Sequence, residues 1–437
     1  MNVRDSEVVA ALLETAGYEP AVNENDADII IINSCTVRGK AEDKALGKSG
    51  LLCASKRKRP GLIVGLMGCV VQRMGEEIFD VVPNLDFIVG TRRHGSIPRL
   101  VARAAAGESR IAEVGSNADV DDLSDAHLDG NHAAFVTILL GCNRRCTYCI
   151  VPDVRGPEYS RPPHELISEI TRLAERGVKE ITLLGQSVMN YGRATSVWPE
   201  SYINRYGIRE PFARLLSEVA SIKGIQRIRF TSGHPSGCTD ELVKTIQAFL
   251  NICCHLHLPM QSGSDKILAA MRRGYTAAQY ADAVKRLRDA MPDFAVTTDI
   301  IVGFPDETEA DFDATRTMMQ QAEFDNAFIF KYSPRPGTPA ALLPDNVTDE
   351  NKKLRNQILL ADQDARGIAI NRRLVGQTVE VLAEGPSLRN ATRWSGRSGG
   401  NKIVIFDKTP QTDIGDIINV KISSAAAQTL YGEIVNS

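Results

Sequence analysis

Short apolar runs alternate along this chain with longer stretches in which apolar residues recur every three or four positions. Over residues 6–16 the spacing of Val8, Val9, Leu12 and Leu13 predicts a helix. Residues 27–35, built around Ile29, Ile30, Ile31 and Ile32, form an unbroken apolar run of strand length. Residues 62–69 and 85–90 repeat that texture on the far side of a predicted helix at 41–57. Strands that are apolar on both faces belong to parallel sheets covered on both sides by helices. Residues 1–115 are therefore expected to form a parallel α/β domain.

Residues 116–130 lose the pattern and carry Asp119, Asp121, Asp122, Asp125 and Asp129, which predicts a solvated linker. From residue 131 the alternation restarts. Strand-like runs at 135–140, 180–184, 227–231, 255–260, 295–302 and 327–332 are separated by helical stretches such as 164–176 and 278–291. Six such units in succession predict a partial TIM-like (β/α)6 barrel over 131–368, with its active end at the carboxyl ends of the strands. Residues 349–374 read as one amphipathic helix. Short runs at 378–382, 392–397, 402–406, 417–422 and 429–435 then predict a small β-barrel over 370–436, of a kind that binds oligonucleotides.

Composition refines this picture at two points. The chain is 43% apolar and 24% charged, with no apolar run of the roughly 18 residues a membrane span needs. The opening MNVRDSEVVA is polar and has no signal-peptide pattern, so the expected compartment is the cytoplasm, with no membrane contact. A net charge of −3 means that nucleic-acid binding must come from local patches. One such stretch stands out: Arg372, Arg373, Arg389, Arg393, Arg397 and Lys402 are accompanied only by Glu380 and Glu384, with Trp394 among them as a candidate stacking ring. Lys56-Arg57-Lys58-Arg59, Arg92-Arg93 and Arg144-Arg145 are further candidates for phosphate contacts. Nine cysteines without an export signal point to metal ligation or catalysis rather than to disulfides.

The most specific chemistry lies in Gly141-Cys142-Asn143-Arg144-Arg145-Cys146-Thr147-Tyr148-Cys149. The C-x3-C-x2-C spacing puts three thiolates on one loop directly after the first barrel strand. Three thiolates can hold three irons of a [4Fe–4S] cube and leave the fourth open for a substrate, whereas structural zinc wants four ligands. Cys35 and Cys69 each close an apolar strand of the N-terminal sheet, where ligands of parallel sheets gather.

The cysteine loop resembles that of the radical S-adenosylmethionine (SAM) superfamily. The segments RCTYCIVPDVRGPEYSRP, RIRFTSGHPSG, HLPMQSGSDKILAAMRRGYT, TTDIIVGFPDETEADF and FKYSPRPGTPAA narrow the likeness to the MiaB-type tRNA methylthiotransferases, and INSCTVRGKAE and LMGCVVQRMGEEI extend it to that family's N-terminal domain. The resemblance covers nearly the whole chain and makes the terminal barrel a TRAM domain. It implies two [4Fe–4S] clusters and SAM as cofactors. Cys142, Cys146 and Cys149 would hold the SAM-cleaving cluster, and Cys35 and Cys69 would be ligands of the second. Tyr148, Gly185, Gln186, Gln261 and Ser262 are the candidate SAM contacts, on strand ends that could equally be plain turns.

The implied reaction is methylthiolation of carbon 2 of an isopentenylated adenosine next to the tRNA anticodon, with the anticodon stem-loop as partner. A flavodoxin or ferredoxin would donate electrons, iron–sulfur assembly factors would load the clusters, and the chain would act as a monomer. Sister families modify a ribosomal-protein aspartate or a threonylcarbamoyladenosine. In the resembling family a third ligand of the second cluster lies on a first strand ending in a Gly-Cys-Gln-Met-Asn-like run. This chain opens at Met1-Asn2-Val3 and enters a helix, so the expectation is a natural start farther upstream. The remaining alternative is a form that cleaves SAM without inserting sulfur. Cys53, Cys238, Cys253 and Cys254 read as packed thiols.

Overall fold

The alternation of the first hundred residues is realised as a four-stranded parallel sheet. The computed structural model describes residues 1–36, 39–115 and 126–435, so the predicted linker is described only from residue 126 onward, Asp129 included. Helix α1 (Asn2–Thr15) leads into β1 (Ile29–Ser34), α2 (Gly39–Ser55), β2 (Ile63–Gly68), α3 (Cys69–Met74), α4 (Ile78–Val81), β3 (Phe87–Val89), α5 (Ile97–Ala105) and β4 (Ile111–Glu113). The four strands lie side by side in sequence order. Leu66, Val70, Ile78 and Phe79 form a core on one side of the sheet, and Val9, Met67, Phe87, Ile97 and Leu100 form a second core. This is the two-sided burial that the apolar runs require. Strand β4 has only three residues and no run long enough to announce it.

The chain divides into two compact units. The first consists of Met1–Asp129, Leu139–Ser160 and Ser333–Ala341, so the cysteine loop belongs to the same unit as the N-terminal sheet. The second consists of Gly130–Ile138, Arg161–Tyr332 and Leu342–Ser437. The run expected as one strand at 135–140 is accordingly two. Strand β5 (Ala133–Thr137) pairs in parallel with β8 (Glu180–Leu184), while β6 (Leu139–Leu140) pairs antiparallel with β7 (Tyr159–Ser160).

In the second unit β5, β8 and β9 (Arg227–Phe230) form one parallel sheet, and β10 (His255–His257), β11 (Ala295–Val302) and β12 (Asn326–Lys331) form another. A bridge between Ile228 and Ile252 joins them, giving the six strands in chain order expected of an open barrel. Along β11, Thr298, Ile300 and Val302 are buried while Thr297, Asp299 and Ile301 are only partly so. One face of the strand is thus covered and the other remains accessible.

The Asp349–Arg372 helix ends this barrel and leads into a closed five-stranded one: β13 (Thr378–Pro386), β14 (Trp394–Ser398), β15 (Ile403–Phe406), β16 (Ile417–Ala425) and β17 (Thr429–Ile434), in the order β13-β14-β15-β17-β16. Val381, Val404, Phe406, Val420 and Leu430 fill it. Gly396 permits the close approach of β13: a Cβ there would stand 2.3 Å from the Leu382 carbonyl oxygen. Two buried arginines of β9 tie the barrels together. Arg229 pairs through Nε with Glu180 at 3.0 Å and donates to the carbonyls of Ser398 and Gly399 at 2.7 and 3.0 Å. Arg227 reaches Glu380 at 2.8 Å and the Arg397 carbonyl at 2.7 Å.

The basic stretch expected to form a free patch is largely answered by carboxylates within the fold. Arg373 pairs with Glu323 at 3.3 Å, Arg393 with Asp407 at 3.0 Å, Arg397 with Glu384 at 3.1 Å and Lys402 with Asp325 at 2.6 Å. Trp394 packs half-buried against the barrel core, with the Lys408 ammonium 4.6 Å from its ring centroid. Charge counted along the stretch does not reveal Glu323, Asp325 and Asp407, because these lie outside it; only Glu384 lies within.

Candidate cofactor site and cysteine pair

The loop that carries Cys142, Cys146 and Cys149 is shaped by its backbone. Gly141 has φ +74, and a Cβ there would sit 2.0 Å from the Pro157 carbonyl oxygen, so the entry to the loop tolerates only glycine. The Cys142 N–H donates to the Gly156 carbonyl at 3.1 Å, closing the loop, and the Cys149 N–H donates to the Cys146 carbonyl at 3.1 Å in a tight turn. A second clasp comes from the 333–341 segment, where the Ala340 N–H donates to the Thr147 carbonyl at 2.8 Å. None of the three is in a disulfide; Cys146 is buried, and Cys142, Cys149 and Tyr148 are half-buried. Burial pushes the Cys142 thiol up against the opposing pull of the Arg144 backbone N–H, and Cys146 is close enough to act on it electrostatically.

Cys35 follows β1 and Cys69 follows β2, and the register Ser34↔Gly68 sets the two cysteines side by side at neighbouring strand ends. Burial pushes the Cys69 thiol up, opposed by the Arg155 guanidinium beside it. Helix α6 (Val151–Arg155), directly after the cysteine loop, is the link between the two sets of thiols: Ile150 and Val154 pack on Cys69. Arg155, whose side chain is 5% exposed, pairs through Nη2 with Asp5 at 2.8 Å and with Asn2 Oδ1 at 3.2 Å. Arg92 in turn holds the Arg155 carbonyl at 2.6 Å. A second cation, Arg335, lies near Cys35 and Glu42. Cations beside thiols are the setting in which thiolates and anionic sulfur are stabilised.

In the second unit, Gly185 and Gln186 end β8 as expected, and Gln261 and Ser262 lie beyond β10. Both glutamines present a buried side-chain carbonyl oxygen with no hydrogen-bond partner among the described residues. Gln261 is also held at φ +69, a conformation costly for any residue but glycine. Buried orphan acceptors of this kind suit the ammonium of an amino-acid moiety, which is what SAM presents. The Ser262 hydroxyl, by contrast, is engaged by Thr315 at 3.3 Å and by the Ser264 N–H at 3.2 Å, so it braces the turn.

Three soft thiol donors on one loop fit an iron–sulfur cluster with an open iron. Among the described residues no three His, Cys, Asp or Glu side chains are gathered into a metal-binding group. The assignment therefore rests on donor identity, spacing and the clasped loop. The Cys35–Cys69 pair offers two further soft donors at adjacent strand ends.

Three family descriptions match successive parts of the chain: Uncharacterized protein family UPF0004 over residues 1–90, Radical SAM superfamily over 136–319, and TRAM domain over 372–435. A tRNA-2-methylthio-N(6)-dimethylallyladenosine synthase from Akkermansia muciniphila is 44% identical over 448 residues, spanning 99% of this chain and 96% of that protein. The chain belongs to that synthase family. A synthase of the same name from Moorella thermoacetica is 44% identical over 440 residues, covering 100% of this chain and 96% of its own. Among solved structures, the radical S-adenosylmethionine methyltransferase TsrM from Kitasatospora setae aligns with a TM-score of 0.54 at 14% identity, over 76% of this chain and 67% of that one. At that identity the likeness concerns the fold alone.

Within this synthase fold several sequence candidates serve structure instead. Lys56 pairs with Asp86, Arg59 caps carbonyls of Glu24 and Ala27, and Arg92 is buried on α6. Arg57, Lys58 and Arg145 remain exposed. Asp5, Arg155 and Arg335, which ring the cysteine pair, carry no local signal; only the fold brings them there.

Proposed function

We propose that this protein methylthiolates carbon 2 of N(6)-isopentenyladenosine next to the anticodon of tRNA. The observation that carries the reading is end-to-end identity of 44% with relatives of that name. The three cysteines of the C-x3-C-x2-C loop, none of them in a disulfide, support it. When bound, the clusters and SAM supply the carbon-centred radical, the sulfur and the methyl group. The chain's own residues hold and shield. Cys142, Cys146 and Cys149 ligate the SAM-cleaving cluster on a loop clasped by Gly156 and Ala340. Gln186 and Gln261, whose side-chain carbonyl oxygens are buried and unpartnered among the described residues, would accept from an ammonium such as that of SAM. Cys35 and Cys69 are ligands of the second cluster, with Arg155 and Arg335 offsetting its charge. The C-terminal barrel contacts the tRNA, a flavodoxin or ferredoxin supplies the electrons, iron–sulfur assembly factors load the clusters, and the setting is the cytoplasm.

The test is anaerobic reconstitution with iron and sulfide, incubation with SAM, reductant and isopentenylated tRNA, and mass spectrometry of the digested nucleosides. Appearance of the methylthio nucleoside is the expected result. Formation of 5′-deoxyadenosine with no methylthio nucleoside on any tRNA would overturn the reading in favour of a SAM-cleaving protein that does not insert sulfur into tRNA.

A further inference from the structure

The accessible face of β10, β11 and β12 carries a polar and aromatic constellation that the SAM and cysteine sites do not use. The register sets His257 beside Thr297 and Asp299 beside Phe328. His257 Nδ1 lies 3.0 Å from Thr297 Oγ1, and His257 Nε2 lies 3.3 Å from Asp299 Oδ2. His255 Nε2 reaches the same Thr297 hydroxyl at 3.2 Å. A carboxylate only accepts, so every arrangement that satisfies these contacts has His257 Nε2–H donating to Asp299. The Thr297 hydroxyl on the other ring nitrogen then locks the imidazole and, through it, the Asp299 carboxylate. The His257 ring also meets the Phe328 ring edge-on, with centroids 5.9 Å apart.

A carboxylate fixed this firmly in mid-strand is not needed for the strand itself. Asp299 is 31% exposed, and His257 engages only one of its oxygens, Oδ2. Phe328, a large apolar ring in the middle of a barrel strand, is 48% exposed. An exposed aromatic face beside a positioned acceptor is the pairing that recognises a nucleobase: the ring takes the base by stacking, and the carboxylate takes an N–H on its edge. We propose that Phe328 and Asp299, the latter positioned by His257, seat the adenine base of the tRNA nucleotide that is modified. The proposal rests on the tRNA methylthiolation reading. The other adenine available to this fold is that of SAM, and the two sources are separable.

Full-length reconstituted protein and its Asp299→Asn, Phe328→Ala, His257→Ala and His257→Gln variants would be compared in two binding measurements. One uses an isopentenylated anticodon stem-loop RNA with SAM present, and the other uses SAM alone. Phe328→Ala is expected to weaken RNA binding about tenfold, within the range of removing a ring from a stacked base. Asp299→Asn should weaken it by a similar factor. His257→Ala should follow Asp299→Asn, and His257→Gln, whose amide N–H can still reach the carboxylate, should recover most of the loss. SAM affinity is expected to stay within twofold for Asp299→Asn and Phe328→Ala.

A fall in SAM affinity at Asp299→Asn with RNA binding intact would assign the seat to the cofactor and overturn the proposal. RNA binding that is unchanged in both Asp299→Asn and Phe328→Ala would overturn it as well. If the unmutated protein itself binds the stem-loop no better than an unrelated RNA, the functional reading fails and the seat falls with it. That outcome is distinct, because it appears before any substitution is made.

Discussion

Replacing Asp5 by Asn removes the countercharge of Arg155 while leaving side-chain volume almost unchanged. The guanidinium and carboxylate are 5% and 10% exposed and 2.8 Å apart. With an effective dielectric of about 20, two unit charges at that distance attract by about 6 kcal/mol. Part of this is already spent on desolvation. Burial alone would raise the Asp5 carboxyl, yet the Arg155 guanidinium, joined by His94 and the amino terminus, holds the carboxyl below its usual range. Deleting one partner of such a pair strands the other, which costs about 3–5 kcal/mol. Arg155 is poorly placed to recover that loss, because its Nη1 is already buried with no oxygen or nitrogen partner among the described residues.

The loss should fall on the first unit, where α6 carries Arg155 and packs on Cys69. The suitable assay is hydrogen exchange of α1 and α6 peptides under mild urea, since a chain of two compact units need not unfold as one. Opening of those peptides should be favoured by about 3 kcal/mol or more in Asp5→Asn. The double variant Asp5→Leu/Arg155→Met, which replaces charge by packing, should return to within about 1 kcal/mol of the parent. A single variant within about 0.5 kcal/mol of the parent would refute the reasoning, because it would mean that the pair is hydrated and contributes little.

Three further outcomes follow from the same structure. Burial, reinforced by the nearby Arg229, His257, Lys402 and Arg397, pushes His255 down to about 3, so the folded protein keeps the ring neutral where an unfolded chain takes up a proton below about 6.5. Between those values the unfolded state binds more protons, so urea midpoints should fall as pH drops below about 6.5 and stay level above it, and His255→Asn should flatten that slope. Gly141→Ala forces a Cβ onto the Pro157 carbonyl at positive φ; iron per chain and visible cluster absorbance after reconstitution should both drop sharply while the second unit stays folded. Arg229→Met leaves buried Glu180 with only the longer Arg227 contact at 4.0 Å and frees two carbonyls of β14 and its turn; limited proteolysis near residue 376 should accelerate, and stability should fall by about 3 kcal/mol.

Much of the fold is written in local patterns. The isoleucine run of β1 and the strand-length runs of β2 and β3 announce a buried sheet, and cysteines placed at the ends of two adjacent strands meet because parallel register brings Ser34 opposite Gly68. The thiol loop is legible for the same reason, since its donors are close in sequence. Long-range assembly is not written this way. Nothing near Arg155 signals that its partner is Asp5, some 150 residues away. Nothing within 372–402 discloses that Glu323 and Asp325 neutralise part of its charge. The break between β5 and β6 was hidden because both halves are apolar, although only one joins the barrel.

The first unit is assembled from three stretches, the last of them ending at Ala341. During synthesis its sheet is complete by Glu113, but the clasp on Thr147 does not exist until Ala340 has left the ribosome. At roughly 5–20 residues per second, the stretch of about 190 residues from Cys149 to Ala340 takes on the order of 10 to 40 s to make. For that interval the nascent thiols stand on an unfinished scaffold. Metal delivery timed to the end of translation would find the loop closed, and earlier delivery would meet cysteines still open to oxidation.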